Sequence, residues 1–119
     1  MRDLITEKLS RIEALEDGWD GYGDRAISQT ALDFYRTVFA VIDDRYLREV
    51  EPVPHNGGLH LEWDVDDWAY SAAIDHDGTL WLFRLAPDDA DDTEQEIENP
   101  TAADLITFIA AHAISKVDE

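Results

Sequence analysis

The hydrophobic pattern changes its period near residue 58, and this change limits the fold more than any other feature. From Leu59 to Asp66, apolar residues alternate with His60, Glu62 and Asp64, as in a strand with one buried face. Asn56-Gly57-Gly58 and Asp77-Gly78 favour tight hairpin turns. The sequence therefore predicts antiparallel strands at about 50–55, 59–65, 68–75 and 80–85, the first confined to an edge by Pro52 and Pro54.

Three other segments have helical spacing. The first runs from roughly Arg2 to Leu15, and the second begins at Ser28 or Thr30 and ends between Asp43 and Leu47. Thr101, followed by Asp104, predicts the start of the third. We expect an α+β fold of order ααββββα in which residues 1–119 form a single acidic domain. Its four- to five-stranded antiparallel meander packs against two N-terminal helices and one C-terminal helix.

The charge limits the class of partner. The chain has 28 acidic and nine basic residues, a formal net charge of −19, and residues 51–119 hold only two of the bases. Phosphates would be repelled, so we expect no direct binding to nucleic acid or to an anionic membrane.

The 45% hydrophobic content is too high for a disordered acidic tail. Without cysteine, thiolate catalysis and disulfides are excluded. No apolar run has secretory or membrane-spanning length, so we expect a cytoplasmic protein.

Several motifs could form a binding or catalytic site, but each also has a simpler structural interpretation. The glycines of 18–23 (GWDGYG) could approach a phosphate, but the spacing fits no phosphate loop, and a helix connector is favoured. Asp75 and Asp77 resemble the start of a calcium loop whose later ligands are missing. Glu62 and Asp64 could act as an acid–base pair or bind Mg²⁺, but a solvated strand face is favoured. His55, His60, His76 and His112 form no metal motif. We expect no catalytic residue, cofactor or metal.

The GWDGYG string also carries a resemblance. An amphipathic helix, GWDGYG, a helix begun by a serine and a strand ending in Leu61-Glu62-Trp63 together resemble a group of small, mostly uncharacterised prokaryotic and phage-encoded proteins. The resemblance covers about residues 4–65. Residues 24–27 (DRAI) stand where a proline-rich link is expected. The resemblance implies a prokaryotic or mobile-element origin, with an anti-CRISPR or similar anti-defence protein as one possibility, and it implies no activity.

The segment between Pro87 and Pro100 is acidic throughout, which favours a solvated loop, although the alternation of its glutamates also permits a fifth strand. Rows of carboxylates on alternate strand residues would imitate a nucleic-acid backbone to a protein that binds phosphates. The leading hypothesis is a non-enzymatic DNA mimic, monomeric or homodimeric, that occupies a partner's basic channel. Its expected contact residues are Glu62, Asp64, Asp66, Asp67, Asp88, Asp89, Asp91, Asp92, Glu94, Glu96 and Glu98.

Aromatic anchors are expected among Trp68, Tyr70 and Trp81. The alternative hypothesis is an immunity protein or antitoxin that covers the active site of a cognate toxin, which need not bind nucleic acid. A small enzyme or metal-binding protein is a third, weaker hypothesis. The charge alone does not separate mimicry from simple solubility.

Overall fold

A computed structural model describes residues 2–19, 21, 25–88 and 92–113. It contains three helices and a five-stranded antiparallel sheet in the order α-α-β-β-β-β-β-α, which confirms the predicted α+β fold. A short 3-10 turn, Asp44–Tyr46, follows the second helix. The elements are α1 (Arg2–Glu13), α2 (Gln29–Val41), β1 (Val53–His55), β2 (Gly58–Val65), β3 (Trp68–Ile74), β4 (Leu80–Leu85), β5 (Thr93–Ile97) and α3 (Ala102–His112).

The strands form a simple meander in which each pairs with the next along the chain. The two predicted hairpin turns hold it together. A Cβ atom on Gly58 would lie 2.0 Å from the Ile74 carbonyl oxygen, so β2 and β3 approach too closely there for any other residue. In the turn between β3 and β4, Gly78 has a φ of 91°, and the Asp77 carboxylate accepts a hydrogen bond of 3.0 Å from the Thr79 N–H. The close approach of β2 to β3 and the turn between β3 and β4 therefore both depend on residues that sequence analysis singled out.

Three element boundaries differ from the predictions. The acidic loop interpretation is wrong for Thr93–Ile97, which forms β5 because Ile97 pairs with Leu80 and shields part of the core. The first strand has only three residues, since Val50 and Pro52 are buried in the loop that leads to it. Helix α2 ends at Val41 rather than between Asp43 and Leu47, where the 3-10 turn follows it. Of its two predicted starts, Ser28 is confirmed, since its hydroxyl accepts a hydrogen bond from Ala31 N–H.

One face of the sheet is buried by the helices, as the alternation predicts. Leu59, Leu61 and Trp63 are buried, whereas Glu62 and Asp64 are exposed. The residues opposite the three apolar side chains, namely Ile74, Ala72 and Tyr70, are buried on the same face. We call this side of the sheet the covered face. A register shift of one residue would exchange its apolar side chains for carboxylates, so burial of this face fixes the register.

Each helix contributes an apolar stripe to the same core. The stripes contain Ile5, Leu9 and Ile12 of α1, Leu32, Tyr35 and Val38 of α2, and Leu105 and Ile109 of α3. The Tyr35 hydroxyl donates a hydrogen bond to the Val50 carbonyl, and burial raises the pKa of this phenol. At the start of α3, the Asp104 carboxylate accepts a 2.7 Å hydrogen bond from the Thr101 N–H. None of the helices described combines the length and apolarity needed to cross a bilayer.

The core makes a direct prediction about stability. Leu61→Ala removes a fully buried side chain and leaves a cavity, so we expect the free energy of unfolding to fall by about 2–5 kcal/mol. The matched control is Leu4→Ala in α1, where the same atoms are lost from a side chain that is 67% exposed. The control is expected to change the free energy by no more than about 0.5 kcal/mol. Urea denaturation measures both, and equal effects would contradict this assignment of the core.

Candidate functional site

The side of the sheet that faces away from the helices forms the candidate site, and we call it the open face. Within the described chain, neither a helix nor a loop buries it: apart from Gly58 at the start of β2, every residue on it is exposed or half-buried. The strand register assigns to it Val53, His55, His60, Glu62, Asp64, Ala69, Ser71, Ala73, Trp81, Phe83, Leu85, Glu94 and Glu96.

Carboxylates line both sides of the open face. Glu62 and Asp64 project from β2, and Glu94 and Glu96 project from β5. Each pair is separated by two residues along its strand, or roughly 7 Å, and β2 and β5 are three strand spacings apart, or roughly 14 Å. All four side chains are exposed. The sheet therefore holds two parallel rows of negative charge.

An apolar strip separates the two rows. On β4, Trp81, Phe83 and Leu85 all point to the open face, and the neighbouring β3 positions are occupied by small residues. One line across the sheet reads Glu62, Ser71, Phe83 and Glu94. Because Ser71 and its neighbours Ala69 and Ala73 are short, β3 forms the floor of a shallow trough between the carboxylates of β2 and the large side chains of β4.

The trough is shallow and open to solvent, has a volume of about 630 Å³, and is bounded mainly by Glu62, Ser71, Ala73, Trp81, Phe83 and Glu94. Its aromatic wall is held in place. The Trp81 indole N–H donates a 2.9 Å hydrogen bond to the Asp75 carboxylate, and the Trp81 and Phe83 rings lie almost parallel with their centroids 6.4 Å apart. The trough therefore presents half-buried aromatic surface next to carboxylates that point into solvent.

Positive charge is concentrated on the other side of the molecule. The five ion pairs described for Lys or Arg all involve α1, α2 or the 3-10 turn. Arg84 is the one base in the described strands, and it points to the covered face, where its guanidinium lies 5.0 Å from the centre of the Trp68 ring. On the open face, His60 approaches Glu62 at 3.3 Å. The carboxylates of this face therefore have histidines as their only potentially cationic neighbours within the described strands.

The remaining acidic residues of the predicted contact set lie at the ends of the strands. The row on β2 stops at Asp64, because the strand ends at Val65 and Asp66 has a φ of 54° in the following turn. Asp67 is exposed in the same turn. Glu98 follows the end of β5. Asp88 and Asp92 are exposed between β4 and β5, and the Asp92 carboxylate accepts a hydrogen bond from Ala86 N–H. Asp89 and Asp91 lie outside the described residues.

The predicted aromatic anchors separate between the two faces. Trp81 lies on the open face, but Trp68 and Tyr70 lie on the covered face. Tyr70 is only 8% exposed and stacks on His112 of α3, so a partner cannot reach it. The sequence analysis missed Phe83 and Leu85. The available signal is the run Leu80–Leu85, which is apolar at both alternating sets of positions apart from Arg84.

The described part of the GWDGYG segment acts as a connector. The Trp19 indole donates to the Arg25 carbonyl at 3.2 Å, and the Asp17 carboxylate accepts from Ala26 N–H at 2.9 Å. These contacts attach the end of the α1 segment to the residues before α2. Asp20 and residues 22–24 lie outside the described residues, so the interpretation of the whole string as a structural connector stays a prediction.

The hairpin residues Asp75 and Asp77 are used within the fold. Asp75 orients Trp81, and Asp77 holds the turn through Thr79. His55 and His60 are brought together by the first hairpin, with ring centroids 6.3 Å apart. In the part of the chain that the structure describes, no three His, Asp or Glu side chains are grouped as a metal site.

Comparison with known proteins adds no relative: no protein-family model matches the chain, and neither the curated proteins nor the solved structures give a significant match.

The Asp77 contact predicts a titration. The backbone hydrogen bond from Thr79 stabilises the ionised form and holds the pKa of Asp77 below its ordinary value. The contribution of this contact to stability is therefore present above the unfolded-state pKa and is lost as the pH falls through the folded-state pKa. Carbon-13 NMR of the Asp77 carboxyl carbon measures the pKa in the folded protein and in urea. A folded-state pKa equal to or above that of the unfolded chain would contradict the contact.

Proposed function

We propose that the protein is a non-enzymatic, acidic binding protein whose open face occupies a basic, nucleic-acid-binding surface of a protein partner. The observation that carries this proposal is the pair of carboxylate rows on β2 and β5, with no Lys or Arg on the described strands of that face. A protein surface that binds a polyanion would attract such a face and would lose access to its nucleic acid while the face is bound.

The dimensions of the rows support mimicry of a duplex. Their separation of roughly 14 Å follows from three strand spacings, and it is of the same order as the width of a B-DNA major groove, about 12 Å. Holding this charge on a rigid sheet costs stability through self-repulsion. The Lys and Arg side chains that form ion pairs lie among the helices, away from the rows. They therefore do not cancel the negative electrostatic potential of the open face.

The apolar strip supports a protein as the partner and also favours the second candidate function. Trp81 and Phe83 are half-buried, and Leu85 is 45% exposed, between the two acidic rows. Aromatic side chains at the centre of an interface supply much of its binding energy, while charges at the periphery chiefly steer association. An immunity protein or antitoxin would use the same strip against a toxin's active site, without competing with nucleic acid.

The test is a kinetic binding series with a partner captured on the immobilised protein from a bacterial lysate at low salt, with a nucleic-acid-binding defence complex such as a CRISPR effector as the first candidate. Association is measured at about 50 and 300 mM salt, with and without competing duplex DNA. We expect association to slow steeply at the higher salt, because exposed charges lose their reach beyond a Debye length of about 8–10 Å near physiological salt. We also expect duplex DNA to compete for the same surface.

Charge reversal locates the interaction. Glu62→Lys with Asp64→Lys should slow association at least about tenfold at low salt, with a smaller effect on dissociation. The matched control reverses two exposed carboxylates of α1, Asp3→Lys with Glu7→Lys, and is expected to have a much smaller effect. Simultaneous binding of duplex DNA would exclude mimicry and favour the toxin-neutralising function. Equal effects of the two double variants would exclude the open face itself.

A further inference from the structure

We infer that the trough of the open face binds an arginine side chain of the partner. This inference rests on the proposed function and specifies the chemistry by which the open face is recognised. The trough is an unpartnered part of a sheet face with aromatic surface on one wall and carboxylates at both margins, so its charge and shape complement a cation with an apolar stem. Arginine has that composition: its methylene groups pack on apolar surface while the guanidinium bonds to carboxylates.

The protein's own arginines show the same combination of contacts. The Arg2 guanidinium lies 4.7 Å from the centre of the Phe39 ring, and its Nη2 atom is 2.7 Å from an Asp44 carboxylate oxygen. Arg45 repeats it more loosely, with its guanidinium 6.0 Å from the centre of the Tyr46 ring and its Nε atom 3.7 Å from an Asp43 carboxylate oxygen. The trough offers an aromatic ring and a carboxylate, as Phe39 and Asp44 do to Arg2. No Lys or Arg of the described chain lines it. The occupant that we propose is an arginine of the partner.

The geometry places the required groups on β2, β4 and β5. Phe83 is directly opposite Glu94 on β5, and Glu62 lies on the other side of the trough beyond Ser71. Trp81 stacks against Phe83, and its hydrogen bond to Asp75 fixes the plane of its ring. A planar guanidinium that rests on these rings would lie between Glu94, on the strand next to Phe83, and Glu62, across the trough.

The aromatic wall predicts a preference for arginine over lysine. A guanidinium is planar and weakly hydrated, so it can stack on a ring and bond to a carboxylate in two places, whereas an ammonium is compact and strongly hydrated. The contribution of charge alone is the same for the two side chains. The difference in affinity between arginine and lysine therefore measures the contribution of the aromatic surface. It distinguishes a specific binding site from general attraction to an acidic protein.

The experiment uses the isolated protein and three blocked tripeptides, acetyl-Gly-Xaa-Gly-amide, in which Xaa is arginine, lysine or the neutral isostere citrulline. Nitrogen-15 NMR follows the indole N–H of Trp81, and the indole N–H of Trp63, which bonds to the His112 carbonyl on the covered face, is the internal control. We expect saturable shifts of Trp81 with the arginine peptide, binding about two- to fivefold weaker with lysine, and no saturation with citrulline. The Trp63 signal should stay unchanged.

Two variants test the walls of the trough. Phe83→Leu keeps an apolar side chain and should weaken arginine binding by about two- to fivefold while reducing the preference over lysine. Glu62→Gln should weaken both cationic peptides, whereas the same change at Glu16, which is exposed after α1, should not. Equal binding of arginine and lysine, or saturable binding of citrulline, would overturn the inference in the unmodified protein, without reliance on any variant. Salt-dependent competition with DNA could still hold in that case, so the two proposals fail separately.

Discussion

The burial of alternate apolar residues of β2 against the helices is the interaction on which the rest of the structure depends. Leu59, Leu61 and Trp63 lie in the core, so the residues between them must face the opposite way. Burial of a leucine-sized side chain contributes about 1.5–3 kcal/mol, and a shift in register would replace three such side chains with charged or polar ones. The same alternation that stabilises the core therefore places Glu62 and Asp64 on the open face.

The open face differs from an ordinary solvated surface in two respects. Its acidic residues stand in rows at the margins, and the centre between them is aromatic and aliphatic. The five described Lys and Arg ion pairs lie in the helical half and the 3-10 turn, where exposed pairs contribute little to stability. Their position nevertheless matters for the electric field, since they neutralise acids of α1, the 3-10 turn and the loop before β1, and none on the described strands. The fold thereby separates a weakly negative side from a strongly negative one.

The fold could be predicted largely because its signals are local. Alternation, two glycine turns and the Thr101–Asp104 cap fix the elements, whereas β5 was uncertain because its exposed residues give no apolar pattern and Ile97 alone contacts the core. The acidic half of the site was predicted from the same alternation. The apolar half was not, since Leu80–Leu85 is apolar on nearly all positions, and only pairing with β3 decides that Phe83 faces outward while Tyr70 faces the helices. The pairing of β4 with β3 is a tertiary contact, and the local sequence pattern does not specify it.

Separation of charge between the two sides is the central claim, and paramagnetic relaxation by charged nitroxides tests it most directly. A cationic and an anionic nitroxide are compared at alanine methyl groups of the folded protein: Ala69 and Ala73 on the open face, and Ala14 and Ala40 on the helical side. The account predicts a larger ratio of cationic to anionic relaxation at Ala69 and Ala73, with the difference reduced at high salt. Equal ratios at all four methyl groups would contradict it.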